Sequence, residues 1–184
     1  MTHGKLTLPV SGRDHTLGPA NAPATLLEYG DYECPHCGAA YPVVEALRER
    51  LGDILHFAYR HFPLSQIHPH ALLAAEAAEA AGAQGEFWEM HDALFTHQDA
   101  LDGAHLKLYA AAIGLDTGAF QRDLETQAHA GRVQEDFMTG VRSGVNGTPT
   151  FFINGLRYDG SRDFVSMYAV IAEVAEASRR AAVR

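Results

Sequence analysis

Residues 28–37 of the chain read EYGDYECPHC, and this stretch holds both of its cysteines, Cys34 and Cys37. The apolar run that leads into it, Ala24–Tyr29, predicts a buried strand, and the sequence after it predicts a helix through Pro42–Leu51. The cysteines therefore stand where a strand ends and a helix begins. At that place the unpaired N–H groups and the positive end of the helix stabilise an ionised sulfur.

The two-residue spacing between the cysteines indicates a redox pair that alternates between dithiol and disulfide. We expect Cys34 to be the exposed nucleophile and Cys37, one turn into the helix, to resolve the mixed disulfide. His36 adds hydrogen-bond donors, and a positive charge when protonated, beside the Cys34 sulfur. Two other interpretations stay open: an inert pair, and half of a structural zinc site, which needs about four ligands. The nearest histidines that would complete such a site are His61, His68 and His70.

The hydrophobic pattern divides the chain into a β–α–β start, a helical middle and a β–β–α end. In the middle, Ala71–Ala81 consists almost wholly of strong helix formers, and Asp116 is placed to cap a later helix. Near the end, Asn154 and Gly155 predict a tight hairpin because both residues tolerate a positive φ. The predicted strands are 24–29, 55–62, 150–153 and 156–158, and the predicted later helices lie near 71–81, 87–95, 106–112, 117 onward, 133–141 and 164–177.

Charge and composition exclude several classes of protein. The net charge of the 184 residues is −9, and residues 66–144 carry four basic and twelve acidic side chains. This balance argues against nucleic acid as a partner, because phosphate binding depends on clustered cations. We expect no membrane insertion, since no run reaches about 18 apolar residues, and two cysteines exclude a disulfide-stapled scaffold. The N-terminal residues have neither the basic nor the apolar region of a signal peptide, so the expected localisation is cytoplasmic, or exported if the sequence is a trimmed form.

The cysteine-containing stretch resembles the active site of the DsbA family, the bacterial protein-disulfide oxidoreductases of the thioredoxin superfamily. Residues 28–37, with the CPHC tetrapeptide, match that family's motif, and Gly147–Thr150 (GTPT) is similar to its cis-proline loop. Pro42 is placed like the helix-kinking proline of the superfamily. Residues 59–71, YRHFPLSQIHPHA, are similar to the compact DsbA-like branch. The resemblance covers most of residues 18–178.

This resemblance implies an α/β, thioredoxin-like fold with an inserted helical domain at about 66–144. The expected organisation is an N-terminal arm, residues 1–20, followed by the DsbA-like domain over 21–184. The implied function is a protein thiol-disulfide oxidoreductase that uses its own Cys34–Cys37 disulfide and no other cofactor or metal. Its expected partners are protein or peptide thiols and disulfides and a redox-recycling partner, and the expected state is a monomer. The alternative function is a metal-binding or chaperone-like module that binds polypeptides on the same fold.

The same resemblance implies supporting roles for further residues. Pro149 is expected to follow a cis peptide bond and to present the backbone before it to an extended substrate, with Thr148 beside the first cysteine to tune its thiolate. Glu28, six residues before Cys34, is expected as a partly buried carboxylate below the second sulfur that accepts or gives its proton. A glutamate at an outward strand position is the simpler alternative. Arg60 is either the charge partner of Glu28 or a surface arginine.

Other polar residues have ordinary structural interpretations. Asp31 and Glu33 would oppose a thiolate if they pointed inward, so we expect them to point to solvent. Trp88 is expected in the core of the helical block. The remaining histidines are expected to be exposed or half-buried: His56, His91, His97, His105 and His129.

The direction of electron flow is left open by the sequence. The CPHC tetrapeptide favours an oxidant, because a strongly stabilised thiolate favours the dithiol form; DsbA lies at about −120 mV and thioredoxin at about −270 mV. A cytosolic location favours the opposite direction, since glutathione keeps thiols reduced there. Oxidase, reductase and isomerase directions are therefore all retained.

Overall fold

The computed structural model describes residues 4–182 of the chain. Within them it has five strands, seven α-helices and a short 3₁₀ turn at Gly52–Ile54. The strands are β1 (His15–Leu17), β2 (Ala24–Gly30), β3 (Leu55–His61), β4 (Thr150–Ile153) and β5 (Leu156–Tyr158). The helices are α1 (Pro35–Leu51), α2 (Ala71–Gly82), α3 (Phe87–Thr96), α4 (Gly103–Ala112), α5 (Thr117–Thr126), α6 (Ala130–Arg142) and α7 (Phe164–Ala182).

The chain forms two compact units, and it passes between them more than once. The sheet unit is made of the chain up to Tyr29, of Ala39–Arg60 and of the chain from Thr139 onward. The helical unit is made of Gly30–Gly38 and His61–Met138. The stretch with both cysteines therefore belongs to the helical unit, although it follows β2 directly in the chain.

The sheet has the strand order β1-β3-β2-β4-β5. Strand β4 runs antiparallel to β2 and β5, and its register places Glu28 opposite Phe151. The hairpin predicted between β4 and β5 is confirmed, because Asn154 and Gly155 have φ values of 45° and 79°. Strand β1 was not predicted; it falls within the segment expected as an arm and pairs antiparallel with β3.

Arg60 on β3 is fully buried in the sheet unit, at 0% exposure. Its guanidinium donates to both carboxylate oxygens of Asp14, at 2.7 and 3.1 Å, and to the hydroxyl of Tyr29 at 2.9 Å. It also donates to the carbonyls of Leu8 and Pro9, at 2.9 and 3.1 Å. Burial alone would lower the pKa of Arg60, but the bonds and charges of Asp14 and Tyr29 raise it. The surface interpretation of Arg60 is therefore wrong, and the carboxylate that it pairs with is Asp14 rather than Glu28.

In the helical unit, the alanine-rich α2 contacts α3, α4 and α5. Nine of its twelve residues are buried, seven alanines together with Glu76 and Glu79. The predicted cap is confirmed: the carboxylate of Asp116 accepts from the N–H groups of Gly118 and Ala119, both at 2.9 Å. Among the described residues no helix is long and apolar enough to cross a membrane.

Candidate active site

Cys34 directly precedes α1, and Pro35 is the first residue of that helix. Proline suits this position, because the N–H groups of the first helical turn have no partner within the helix. The carbonyl of Cys34 accepts a helical hydrogen bond from the N–H of Gly38, at 3.1 Å. Cys34 thus lies at the N-terminal end of α1, as the sequence predicts, with Cys37 in the first turn.

Both cysteines are shielded from solvent, with exposures of 3% for Cys34 and 0% for Cys37. The prediction that Cys34 is exposed is therefore wrong. Within the helical unit, the side chain of Gln98 binds the carbonyls of Tyr32 and Cys34 in the same turn. His36 is exposed, so its imidazole is accessible to solvent.

Asp31 connects the second cysteine with the loop that follows β3. Its main-chain N–H donates to Sγ of Cys37 at 3.4 Å, and its carboxylate is buried. That carboxylate accepts from the N–H of Glu33, the N–H of Leu64 and Nδ1 of His68, each at 2.8 Å. The prediction that Asp31 points to solvent is wrong, because these donors satisfy it inside the helical unit. The N–H donor favours the ionised form of the Cys37 sulfur.

Glu33 makes a second connection to the same loop. Its carboxylate accepts from the main-chain N–H of His70 at 2.6 Å and from Nδ1 of the same residue at 2.9 Å. Glu33 is half-buried, so the expectation that it points to solvent is also wrong. Asp31 and Glu33, which precede the first cysteine in the turn before α1, therefore hold residues 64–70 by hydrogen bonds.

Tyr32 lies between the two acidic residues and points into the helical unit. Its hydroxyl lies 3.0 Å from Nδ1 of His91 on α3, and its ring packs at 4.9 Å from that of Phe95. His91 has 3% exposure, so the expectation of an exposed or half-buried residue is wrong there, and it is wrong for His56 at 8%. Trp88 is half-buried, and its ring lies 5.0 Å from that of His91.

Gln98 was missed by the sequence interpretation. It lies in the connection between α3 and α4, and Nε2 of its side chain donates to the carbonyl of Tyr32 at 2.7 Å and to that of Cys34 at 3.0 Å. A single glutamine in a polar loop has no sequence signal that would mark it as part of a site.

The other predicted site residues lie in the sheet unit. Glu28 is 2% exposed on β2, so the interpretation as an outward strand residue is wrong. The Thr148–Pro149 peptide bond is cis, as predicted, and it immediately precedes β4. Because β2 and β4 pair with Tyr29 opposite Thr150, Glu28 and Pro149 belong to the same end of this strand pair. The roles of Glu28, Thr148 and Pro149 at the sulfur atoms stay predictions.

A group of three potential metal ligands lies elsewhere in the helical unit. Donor atoms of His61, Glu79 and Asp136, all buried, lie within 4.8 Å of one another. Neither cysteine belongs to this group. Arg132 already supplies a positive charge there, since its guanidinium bonds to Asp136 and lies 3.9 Å from Glu79. The donors therefore form an ion-pair network with Arg132, in which Nε2 of His61 lies 2.9 Å from Glu79.

A protein-family model described as thioredoxin matches residues 10–173 of the chain. The chain belongs to the thioredoxin family. Among solved structures, this thioredoxin-family chain is similar to oxidised BdbD from Bacillus subtilis, with a TM-score of 0.82 and 22% identity over 95% of this chain and 97% of that one. It is also similar to α-DsbA1 from Wolbachia pipientis, with a TM-score of 0.81 and 24% identity over 94% and 96% of the two chains. The predicted α/β, thioredoxin-like fold of the DsbA type is therefore confirmed.

Curated relatives of the thioredoxin-family chain carry a different name. An Na⁺/H⁺ antiporter NhaA 1 of Salinispora arenicola is 46% identical over 177 residues, which cover 95% of this chain and 27% of the relative. An Na⁺/H⁺ antiporter NhaA of Herminiimonas arsenicoxydans is 46% identical over 167 residues, covering 91% and 26%. The chain thus spans 26–27% of the length of these relatives.

Proposed function

We propose that this thioredoxin-family chain is a protein thiol-disulfide oxidoreductase that acts on protein or peptide substrates through Cys34 and Cys37. The observation that carries the proposal is the placement of the pair: Cys34 at the N-terminal end of α1, and Cys37 with the Asp31 N–H donating to its sulfur at 3.4 Å. The helix end favours the ionised form of the first sulfur, and the N–H favours that of the second. The fold shared with DsbA-type structures supports the same function.

The proposed reaction proceeds in two exchange steps. The Cys34 thiolate attacks one sulfur of a substrate disulfide, which forms a mixed disulfide and releases the other substrate sulfur as a thiolate. The Cys37 thiolate then attacks Sγ of Cys34, which forms the Cys34–Cys37 disulfide and releases the second substrate thiol. Two electrons pass from the protein to the substrate, and the reverse sequence oxidises a substrate dithiol. The direction depends on the two reduction potentials.

The remaining predicted residues have supporting roles in this proposal. His36 supplies a donor, and a charge when protonated, next to the first sulfur. Glu28 accepts the proton of Cys37 before the second step and returns it in reverse. Pro149 presents the backbone before it to an extended substrate, and Thr148 tunes the Cys34 thiolate. The pair itself is the redox group, so the reaction needs no bound cofactor, and a separate redox partner restores its starting state.

The location and assembly are part of the proposal. We propose a cytoplasmic monomer, for which the glutathione pool at about −280 mV keeps the pair in the dithiol form and favours substrate reduction. Redox equilibration against glutathione distinguishes the directions. An oxidase gives a potential near that of DsbA, at about −120 mV, and a reductase gives one near that of thioredoxin, at about −270 mV.

The test of the reaction is a Cys37→Ser variant incubated with a peptide disulfide. This variant retains the attacking sulfur and lacks the resolving one, so we expect a mixed disulfide at Cys34 to accumulate, visible by intact mass and removed by dithiothreitol. Cys34→Ser is the matched control and should accumulate much less adduct. Equal labelling of the two variants, or no adduct in either, would overturn the proposed function.

A second candidate function concerns the partner. Relatives named as Na⁺/H⁺ antiporters match 91–95% of this chain with 26–27% of their own length, which favours a redox module that acts together with an antiporter. The measurement is co-purification of the reduced chain with an NhaA-type antiporter from the same genome, in detergent. Recovery of a stoichiometric complex supports this candidate, and recovery no greater than that of an unrelated membrane transporter contradicts it.

A further inference from the structure

The side chain of Gln98 bridges two carbonyls of the turn that carries the first cysteine. Its Nε2 donates to the carbonyl of Tyr32 at 2.7 Å and to that of Cys34 at 3.0 Å. The two carbonyls are separated along the chain by one residue, Glu33. A single primary amide with two N–H groups therefore fixes the plane of the Tyr32–Glu33 peptide and that of the Cys34–Pro35 peptide, which leads into α1.

The amide of Gln98 also fits closely against the first turn of α1. A Cβ atom added at Gly38 would lie 2.0 Å from Oε1 of Gln98 and 2.7 Å from its Cδ. Gly38 is the residue whose N–H donates to the Cys34 carbonyl, at 3.1 Å. The Cys34 carbonyl therefore accepts two hydrogen bonds, one from the helix and one from Gln98, and the missing side chain of Gly38 makes room for the second.

Two further hydrogen bonds hold other main-chain groups of the turn. The N–H of Cys34 donates to the carbonyl of Asp31 at 3.1 Å, and the N–H of Glu33 donates to the Asp31 carboxylate at 2.8 Å. Neither of these two bonds uses the carbonyls of Tyr32 and Cys34, to which Gln98 donates. Without it, the carbonyl of Cys34 would keep the helical bond from Gly38 and lose the bond from the side chain.

The orientation of the Cys34–Pro35 peptide matters for the chemistry of the sulfur. The stabilisation of an anion at a helix end falls off within one turn, so it depends on how the first N–H groups are aimed. The two N–H groups of Gln98 also place partial positive charge beside the Cys34 peptide. Both effects favour the ionised Cys34 sulfur over the neutral thiol.

We propose that Gln98 is a positioning residue. It holds the Cys34–Pro35 peptide in the orientation at which the N-terminal end of α1 stabilises the Cys34 thiolate. The inference rests on the proposed thiol-disulfide exchange at Cys34. Gln98 touches neither the sulfur nor the substrate in this role and acts through the main chain of the turn. The absence of a side chain at Gly38 is part of the same arrangement, because it leaves room for the amide of Gln98.

The expected effect is a shift of the thiol equilibria toward the neutral thiol and the disulfide. In Gln98→Ala, alkylation of Cys34 should reach half its maximal rate at a higher pH than in the wild type. The reduced form loses stability, so the equilibrium with glutathione should move toward the Cys34–Cys37 disulfide by about threefold. For a two-electron couple this is a potential about 14 mV more negative.

Gly38→Ala tests the same contact from the other side. The new methyl group displaces the amide of Gln98, so the alkylation midpoint should move in the same direction. The substitution also replaces a glycine inside a helix by alanine, which favours the helix itself. In the double variant the two shifts should not add, because the second change removes a contact that is already lost.

Gln84→Ala is the matched control for a loss of structural hydrogen bonds. Gln84 is a second glutamine of the helical unit whose amide binds main-chain groups, with Nε2 at 3.3 Å from the Asp116 carbonyl and Oε1 accepting from the Asp116 N–H at 2.8 Å. This variant should lose stability to urea without a change in the alkylation midpoint. A Gln98→Ala variant with a wild-type midpoint and a wild-type glutathione equilibrium would overturn the role of Gln98, as would additive shifts in the double variant.

The two proposals fail in different ways. The alkylation profile tests Gln98 whether or not the pair exchanges with a substrate. If no mixed disulfide forms in Cys37→Ser while the midpoint shifts in Gln98→Ala, the proposed function fails and the positioning role stands. If exchange occurs and the midpoint does not shift, the positioning role fails and the proposed function stands.

Discussion

The N–H of Asp31 donates to the Cys37 sulfur at 3.4 Å, while the carboxylate of the same residue accepts three hydrogen bonds. One of these comes from the active-site turn, and the other two come from Leu64 and His68 in the loop after β3. Asp31 therefore joins the second cysteine to that loop through its main chain and its side chain together. A substitution that removes the carboxylate should therefore alter the hydrogen bond from the Asp31 N–H to the Cys37 sulfur.

The first prediction concerns this carboxylate. Asp31→Ala leaves three donors without their acceptor, so the free energy of unfolding should fall by about 1–3 kcal/mol. The release of substrate from the mixed disulfide should also slow, because the N–H that favours the Cys37 thiolate is less firmly placed. Urea unfolding and stopped-flow exchange with a peptide disulfide measure the two effects. Asp53→Ala, at an exposed aspartate, is the control and should change neither; a wild-type release rate in Asp31→Ala would contradict the link to the sulfur.

The second prediction concerns the buried pair of Arg60 and Asp14. Asp14→Ala leaves the fully buried guanidinium without its carboxylate, which should cost about 3–5 kcal/mol of unfolding free energy. The double variant Asp14→Ala with Arg60→Met should recover part of this loss, because no unpaired charge stays buried. Chemical denaturation of the single and double variants tests the coupling. Additive losses would show that the two side chains stabilise the fold independently.

The third prediction compares two glycines with the same backbone handedness. Gly18 has a φ of 84°, and a Cβ there would lie 2.2 Å from the carbonyl oxygen of Leu55. Gly52 has a φ of 50° and no atom within 4 Å of such a Cβ. Alanine at Gly52 should cost the conformational penalty of about 1–2 kcal/mol, and alanine at Gly18 should cost more because main-chain atoms clash. Thermal unfolding of both variants tests this prediction. Equal losses of stability would mean that the main chain at Leu55 shifts to admit the methyl group at residue 18.

The fourth prediction concerns pH and the buried Glu76 on α2. Burial raises the pKa of Glu76 above its ordinary value of 4.5, and the nearby charge of His129 lowers it in part. The folded state therefore holds this proton more tightly than the unfolded state, so stability falls as the pH rises through the folded-state pKa. Glu76→Gln removes that dependence and should be more stable than the wild type at about pH 8.

Urea midpoints measured between acidic and mildly alkaline pH check this expectation. The two proteins should converge at acidic pH, where Glu76 is protonated in both states of the wild type. Glu49→Gln is the control for a loss of one exposed carboxylate and should follow the wild-type pH dependence. If the urea midpoints of Glu76→Gln and the wild type differed by the same amount at every pH, the effect would come from packing and not from the protonation of Glu76.

Much of the fold is predictable because its signals are local. The apolar run of β2, the helix-forming composition of α2 and the cap at Asp116 each depend on residues close together in the chain. The placement of Cys34 before α1 follows from the same local pattern. The three-residue β1 has no comparable signal, since it forms by pairing with β3 rather than by its own composition.

The polar interior of the site was predicted less well. Asp31 and Glu33 were expected in solvent, yet their partners lie 33–37 residues further along the chain. Gln98 lies 64–66 residues from the carbonyls that it binds. A prediction from local sequence places a charged residue in solvent, because the hydrogen-bond donors that would allow its burial are distant in the chain. The same reason explains the burial of Arg60 with Asp14.

Because of how the chain divides into two units, the order of residues 30–38, which include both cysteines, depends on the stability of the helical unit. Gly30–Gly38 is continuous with β2 at one end and with the rest of α1 at the other, yet it belongs to the helical unit with His61–Met138. Its hydrogen bonds to Leu64, His70 and Gln98 are all made inside that unit. In a hydrogen–deuterium exchange experiment, the amides around the cysteines should therefore lose protection when the helical unit opens, even while the neighbouring strand amides stay protected.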